Sequence, residues 1–462
     1  MASALSSPFR ANLFRGRGMR RRIAVASVFT LVLLWLLGAR PGWNAGAEDQ
    51  PFVRFFLYED VLEDFSAHCE VEDRYAAKGA EALWIEQLVV HPWRTLDPAE
   101  ADLFVIPANF YAAERGWCQK TPEEFLLTTS RTLEGSDWFH RSAGRDHVIL
   151  STYFKSFSQI KRLPKFRNMI WLSRLSGERR PRGDPKARCR VAVMHNGPPP
   201  PLRRDRNVTH RHTLFFVGQV DTRKAYRHRV AAVKSLGDVD GGRGDNFIIG
   251  IKSQRDIKRQ NDSNLDPEDP EKTFGIPYCE QGQSNGCYSA VMLGHERFME
   301  ELIGSRWNLF IGGDDPGSAR FAEAASVGVP SIIISPGVEE LYLSFKDRIP
   351  WRKFAVIVDP SSFLAHPEET IREVLRQYDG DETRDRMVAL QDQYSREFLW
   401  SHPESKVATN ALAKAARECL FSEKHHSYPF ALQFYSYHLF VFIIIIILAA
   451  KTYRRIPGWA RL

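Results

Sequence analysis

Short hydrophobic runs alternate with stretches of helical spacing over most of this chain. Residues 53–58 (VRFFLY) read as a first strand, 75–90 (YAAKGAEALWIEQLVV) carry apolar positions at the helical period, and 101–107 (ADLFVIP) form a short buried strand that stops at a proline. A helix around 125–133, a strand at 148–151 and another near 169–172 continue the alternation. After a Pro- and Arg-rich stretch at 179–211, with consecutive prolines at 198–201, a second series opens at 213–217 (TLFFV). Strands follow at 246–251 (NFIIGI), 307–311, 331–334 and 354–358, and helices at 368–378, 381–396 and 405–419. Such alternation predicts parallel sheets of the α/β class. The Pro- and Arg-rich stretch reads as an exposed connection between domains, and the polar residues 252–286 as a long surface excursion. The expected domains are residues 53–205 and 206–425.

Two segments break this rhythm. Residues 23–39 (IAVASVFTLVLLWLLGA) are an uncharged run about long enough for a slightly compressed spanning helix. Arg10, Arg15, Arg17, Arg20, Arg21 and Arg22 precede it, and Glu48 and Asp49 follow it. The positive-inside rule therefore keeps a basic tail, residues 1–22, in the cytosol, with 40–52 as a stem on the other side. A cleaved signal peptide starts in the same way, but with a briefer leader and a shorter apolar core. Residues 430–450, ending in HLFVFIIIIILAA, are followed by Lys451, Arg454 and Arg455. A second transmembrane helix there returns residues 451–462 to the cytosol; the alternative is a very apolar buried strand or an interfacial segment. Both charge blocks agree on one topology, with the body in the lumen.

Composition adds little: 44% apolar and 26% charged residues exclude a disordered, collagen-like or coiled-coil chain. Charge adds more. The formal +7 suggests a nucleic-acid binder until the ten cations of the two tails are set aside, leaving 53 basic against 56 acidic residues. No nucleic-acid partner is expected. Six cysteines (Cys69, Cys118, Cys189, Cys279, Cys287 and Cys419) suit an oxidising compartment and contain no CxxC zinc spacing. Cys279 and Cys287 bracket a Gly- and Asn-containing loop and make the natural local disulfide; the other pairings stay open. Asn207-Val-Thr209 and Asn261-Asp-Ser263 are glycosylation triplets.

The stretch from Trp307 to Ser335 carries the chemistry. An apolar strand runs into Gly312-Gly313-Asp314-Asp315-Pro316-Gly317, Ser318 stands at an N-cap position, and Gly328 ends the helix before Pro330. A glycine loop lets a ligand approach backbone N–H groups at the helix start, where the dipole favours an anion. Arg320 and Glu323, three apart, share one face: the guanidinium could hold a diphosphate and the carboxylate ribose hydroxyls, or the two could form an i,i+3 ion pair on a wet surface. Phe321, Ala325 and Gly328 form the opposite, core-facing stripe.

Several pieces resemble, in order, the exostosin family of glycosyltransferases. They are residues 95–107 (TLDPAEADLFVIP), 144–147 (GRDH), 214–218 (LFFVG), 221–223 (DTR), 318–324 (SARFAEA) and 349–351 (IPW) leading to 354–356 (FAV). The resemblance implies a GT-B architecture, two Rossmann-like domains facing a cleft, with a nucleotide sugar held mainly by the second. It also implies an inverting enzyme that needs neither metal nor cofactor beyond its donor, here a UDP-sugar, and a glycan or glycoprotein acceptor. Residence in the Golgi or ER membrane and an oligomer with other transferases fit the same picture. By position, Arg223 matches a family arginine at the donor phosphates, Arg320 and Glu323 match the donor helix, and Gly317 and Ser318 its start. The family usually carries Gly-Cys-Ile-Pro or Ala-Cys-Val-Pro where this chain has Val327-Gly328-Val329-Pro330.

Inversion needs a base for the acceptor hydroxyl and positive charge for the leaving diphosphate. His147 beside Asp146 is the candidate base, since a carboxylate can orient an imidazole that titrates near neutrality; the same pair could instead hold the first sheet together. His91, His195 and His210 are weaker candidates. Asp314-Asp315 lacks the intervening residue of an Asp-X-Asp metal site. A non-catalytic relative serving as partner to an active transferase is the competing function.

Overall fold

The computed structural model describes residues 52–69, 79–152, 164–174, 189–198, 209–221, 223–237, 246–251, 275–280, 285–289 and 293–421. They belong to a unit that begins at Pro51. The expected membrane segments 23–39 and 430–450, and the acceptors Asn207 and Asn261, lie outside the described residues. Among the described residues no helix is long and apolar enough to cross a membrane.

Twelve strands are described, in two parallel sheets. The first holds β1 (Phe55–Leu57), β2 (Arg94–Thr95), β3 (Leu103–Ile106), β4 (His147–Leu150), β5 (Ile170–Ser173) and β6 (Cys189–Ala192), in the order β2-β1-β3-β4-β5-β6. The second holds β7 (His212–Gln219), β8 (Phe247–Ile251), β9 (Asn285–Ser289), β10 (Ser305–Ile311), β11 (Ser331–Ile334) and β12 (Ala355–Ile357), in the order β12-β11-β10-β7-β8-β9. Strands buried on both faces read as continuous apolar runs, which is why LFVI, FIIGI and SIII were visible in the sequence. Within each run the period of two sorts side chains between layers. Leu103 and Val105 join the large core that reaches from one sheet to the other, whereas Phe104 and Ile106 join a separate cluster under the helices of the first sheet.

The helices used below are α1 (Glu59–His68), α2 (Ala80–Val89), α3 (Arg227–Ser235), α4 (His295–Ile303), α5 (Ala319–Val327), α6 (Asp381–Phe398) and α7 (Val407–Ala415). The last of these corrects the reading of 179–211 as an exposed connection. Cys189–Ala192 is a strand of the first sheet, Val193 and Met194 are buried, and α7 returns from the second half of the chain to pack on β6 and α2. Trp400 fixes this return: it donates from Nε1 to the Met194 carbonyl at 2.9 Å and meets Trp84 edge to face at 6.0 Å. The disulfides are Cys69–Cys118, Cys189–Cys419 and the expected Cys279–Cys287. Cys189–Cys419 ties the chain just past α7 to β6.

Glu81, near the start of α2, is fully buried and accepts from the Thr152 N–H at 2.7 Å and from its hydroxyl. Burial pushes this carboxyl up to about 7. The folded state therefore holds a proton that the unfolded chain loses near pH 4.5, and stability falls as pH rises between these values. At about 1.4 kcal/mol per pH unit, the loss is on the order of 3 kcal/mol. Half-buried His91, pushed down to about 4, works in the opposite direction, so the difference between proteins is the informative quantity. Urea unfolding from pH 4.5 to 7.5 should show Glu81→Gln gaining on the parent by about that amount; parallel curves would mean that Glu81 stays ionised.

Candidate active site

In an open parallel sheet, ligands bind beyond the carboxyl ends of the strands, where the strand order reverses. In the second sheet the chain proceeds β7, β8, β9 to one side and then β10, β11, β12 to the other, so the reversal falls between β7 and β10. The segments leaving these two strands build the site. From β7 come Asp221, Arg223 and Tyr226, and then α3 with Arg229; from β10 comes the loop 312–318, and then α5.

Local chemistry sets the limits of α5. Ser318 has extended backbone and its Oγ accepts from the Arg320 N–H, while Gly328 adopts φ 78°, a left-handed conformation suited to glycine. The Val329 N–H then bonds to the Ala324 carbonyl at 3.0 Å, closing the helix despite the departure from the family's usual exit. Gly317 is required by packing as well: a Cβ there would lie 2.1 Å from the ring of Tyr342. That ring is buried, stacks on Phe310, and its hydroxyl donates to the Ser318 carbonyl at 2.8 Å. Tyr342 thus holds the loop exit from behind.

Arg223 donates from Nε to Asp221 at 2.7 Å and from one terminal nitrogen to Asp314 at 2.8 Å. The Tyr226 hydroxyl donates to the other Asp314 oxygen at 2.9 Å, and the Arg223 guanidinium lies 4.6 Å from the centre of the Tyr226 ring. Burial disfavours the Asp221 carboxylate, but the hydrogen bonds from Arg223 outweigh it and hold Asp221 below its usual range. Arg229 was missed in the sequence. It donates from Nε to the Ile311 and Gly312 carbonyls, both at 3.1 Å, and from a terminal nitrogen to the Gln219 carbonyl at 3.2 Å. It bridges the ends of β7 and β10 without a carboxylate partner among the described residues. Only the position of both strand ends could have revealed it.

Arg320 and Glu323 form the ion pair that the sequence allowed, at 2.7 Å, but not on a wet surface. The Glu323 side chain is 3% exposed, and Arg320, 37% exposed, covers it while lying 4.0 Å from the centre of the Phe298 ring on α4. Gly197, from the segment after β6, packs against the backbone at Ala322 and Glu323, and this contact closes the face that helical periodicity had left open. The two aspartates of the loop also diverge: Asp314 turns to Arg223, whereas Asp315 pairs with Arg174, just past β5 of the first sheet.

Asp146 and His147 are not brought to this site. His147 begins β4, at the end of the sheet opposite the carboxyl ends of the strands, and is 0% exposed. Its Nδ1 is 2.7 Å from Asp146, its Nε2 is 2.8 Å from the Tyr58 hydroxyl, and its ring stacks on Phe104. Burial lowers its pKa, and neither ring nitrogen is left to accept a substrate proton. The geometry is that of the alternative, a pair that holds the first sheet to its helices. His91 binds Thr409, His210 lies against Arg384, and His195 is buried beside Tyr342.

A family model described as the Exostosin GT47 domain matches residues 50–374. The chain is 26% identical over 289 residues to Probable arabinosyltransferase ARAD1 of Arabidopsis thaliana, a match covering 59% of this chain and 52% of that protein. It thus spans about half the length of this relative. Among solved structures it is similar to an alpha-glucosyltransferase in complex with UDP and a 13-mer DNA, with 8% identity and a TM-score of 0.41 over 75% of this chain and 96% of that one. It is also similar to MnaA of S. aureus in a co-structure with UDP, with 9% identity and a TM-score of 0.35 over 79% and 97% of the two chains. The family match, extending over well more than half of the sequence, is decisive: this chain belongs to the exostosin GT47 family.

Proposed function

We propose that the chain transfers a sugar from a nucleotide-sugar donor, a UDP-sugar, to a hydroxyl of a glycan or glycoprotein, with inversion at the anomeric carbon. The observation that carries this reading is the gathering of Arg223 and Arg229 with the glycine loop and the start of α5 at the reversal point of the second sheet. A diphosphate leaving group gains charge as the glycosidic bond breaks, and fixed guanidinium groups stabilise that charge without reorganising. Arg320 and Glu323 would reach the donor from α5, Arg320 toward phosphate and Glu323 toward ribose once their mutual pair opens. No metal or other cofactor is assigned a part. The acceptor's base is sought at the carboxyl edge of the first sheet, facing the loop through Arg174 and Asp315, rather than at His147. Similarity to an arabinosyltransferase makes a pentose the first sugar to try. A lumenal body between two membrane segments, in the Golgi or ER, fits the charge pattern of the tails and the three disulfides. Association with other transferases is part of the same proposal.

The test is thermal unfolding of the full-length chain with UDP and GDP, followed by hydrolysis of a panel of UDP- and GDP-sugars. UDP at a hundred times its dissociation constant should add about 2.7 kcal/mol of stability. Stabilisation by neither nucleotide would favour the non-catalytic partner, for which the closed Arg320–Glu323 pair is the one supporting observation.

A further inference from the structure

Two carboxylates hold Arg223, and they differ in kind. Asp221 lies two residues earlier and also accepts from the Arg223 backbone N–H at 3.0 Å, so it belongs to the same turn and shapes it. Asp314 comes from the other strand's loop, 91 residues later, and closes over the solvent side of the guanidinium. The side chains of Arg223 and Asp314 are 36% and 55% exposed. Charge around the site is correspondingly balanced. Arg320 is neutralised by Glu323, Arg174 by Asp315, and Arg223 is outnumbered by Asp221 and Asp314. A diphosphate approaching this arrangement would meet a carboxylate already seated on the cation it needs.

We propose that Asp314 is an internal competitor for the donor diphosphate: it occupies Arg223 in the free enzyme, and nucleotide binding exchanges this carboxylate for a phosphate oxygen. The inference rests on the reading that places the diphosphate at Arg223. A half-exposed ion pair is weak enough to be exchanged, and a multiply charged diphosphate is a stronger partner for a guanidinium than one carboxylate. The displaced Asp314 then lies beside a like charge and lowers affinity further. Asp314 would thus set a threshold that a diphosphate passes and weaker anions do not, easing release of the nucleotide product.

Asp314→Asn keeps an oxygen for the Tyr226 hydroxyl, but removes the charge and puts an NH2 donor where Arg223 had an acceptor. Isothermal titration of UDP into the chain at one ionic strength is expected to show this variant binding about two- to fivefold more tightly than the parent. Arg223→Gln should weaken binding, and in that background Asp314→Asn should bring no gain, a coupling that a merely structural role for Asp314 would not produce. If Arg223→Gln weakens UDP binding but Asp314→Asn leaves it unchanged or weaker, the competitor inference is overturned and the site reading stands. If Arg223→Gln has no effect, or if neither parent nor variants bind UDP, the site reading falls and the inference falls with it.

Discussion

Replacing Glu323 by alanine is expected to lower kcat/KM for the donor by roughly 10- to 150-fold, the range for losing a hydrogen bond to a charged group. Most of the protein should remain folded. The carboxylate is buried, but its partner is not: Arg320 is 37% exposed and rests on Phe298, so water can solvate the guanidinium left behind. With the pair discounted for that exposure, the cost in stability should be about 1–2 kcal/mol. Glu323→Gln should keep the packing against Gly197 and lose activity nonetheless, because an amide neither neutralises nor orients Arg320 as a carboxylate does. The measurement is kcat/KM beside the thermal midpoint for both variants. Activity that declines only in proportion to the folded fraction would make Glu323 a structural residue.

The largest effect on stability should come from the disulfide that joins the two halves of the chain. Cys189 and Cys419 are 230 residues apart, and closing a loop of that length removes unfolded-state entropy worth on the order of 5 kcal/mol in the chain-entropy model. With Cys189→Ser and Cys419→Ser together, a loss of about 3–5 kcal/mol is expected, read from urea unfolding. α7 should loosen first. It buries Val407, Ala411 and Leu412 against the first sheet, although it follows the whole of the second sheet in the chain. Hydrogen exchange would then quicken in α7 and β6 before the second sheet responds. A midpoint unchanged by the double substitution would mean that Trp400 and the apolar face of α7 suffice to hold the return.

Much of the fold was legible because the strands of a parallel sheet are buried on both faces and appear as apolar runs. The strand at Ser331–Ile334 coincides with its expectation, and others differ by a residue or two at their ends. Three strands escaped. β2 has only two residues, Arg94 and Thr95, β6 sits in a stretch that prolines and arginines make look like a linker, and β9 carries Asn285 and Gly286. Each is an outermost strand with a neighbour on one side only, so pairing rather than its own composition holds it in place. α1 also escaped: Val61 and Phe65 are its only buried residues, too few to establish a period.

The site divides in the same way. The amino-acid sequence alone determined the limits of α5, since a serine cap and a left-handed glycine act through bonds to residues two to five positions away. It also determined the glycine loop and the family, because those rest on residues adjacent in the chain. Tertiary structure alone decided that Glu323 lies under Gly197, that Arg229 joins the ends of β7 and β10, and that Asp314 faces Arg223. It also decided that His147 lies buried at the amino end of its strand, between Asp146 and Tyr58. Burial and charge pairing depend on what arrives from distant parts of the chain, here from 91 to more than a hundred residues away, and no local period or motif encodes that arrival.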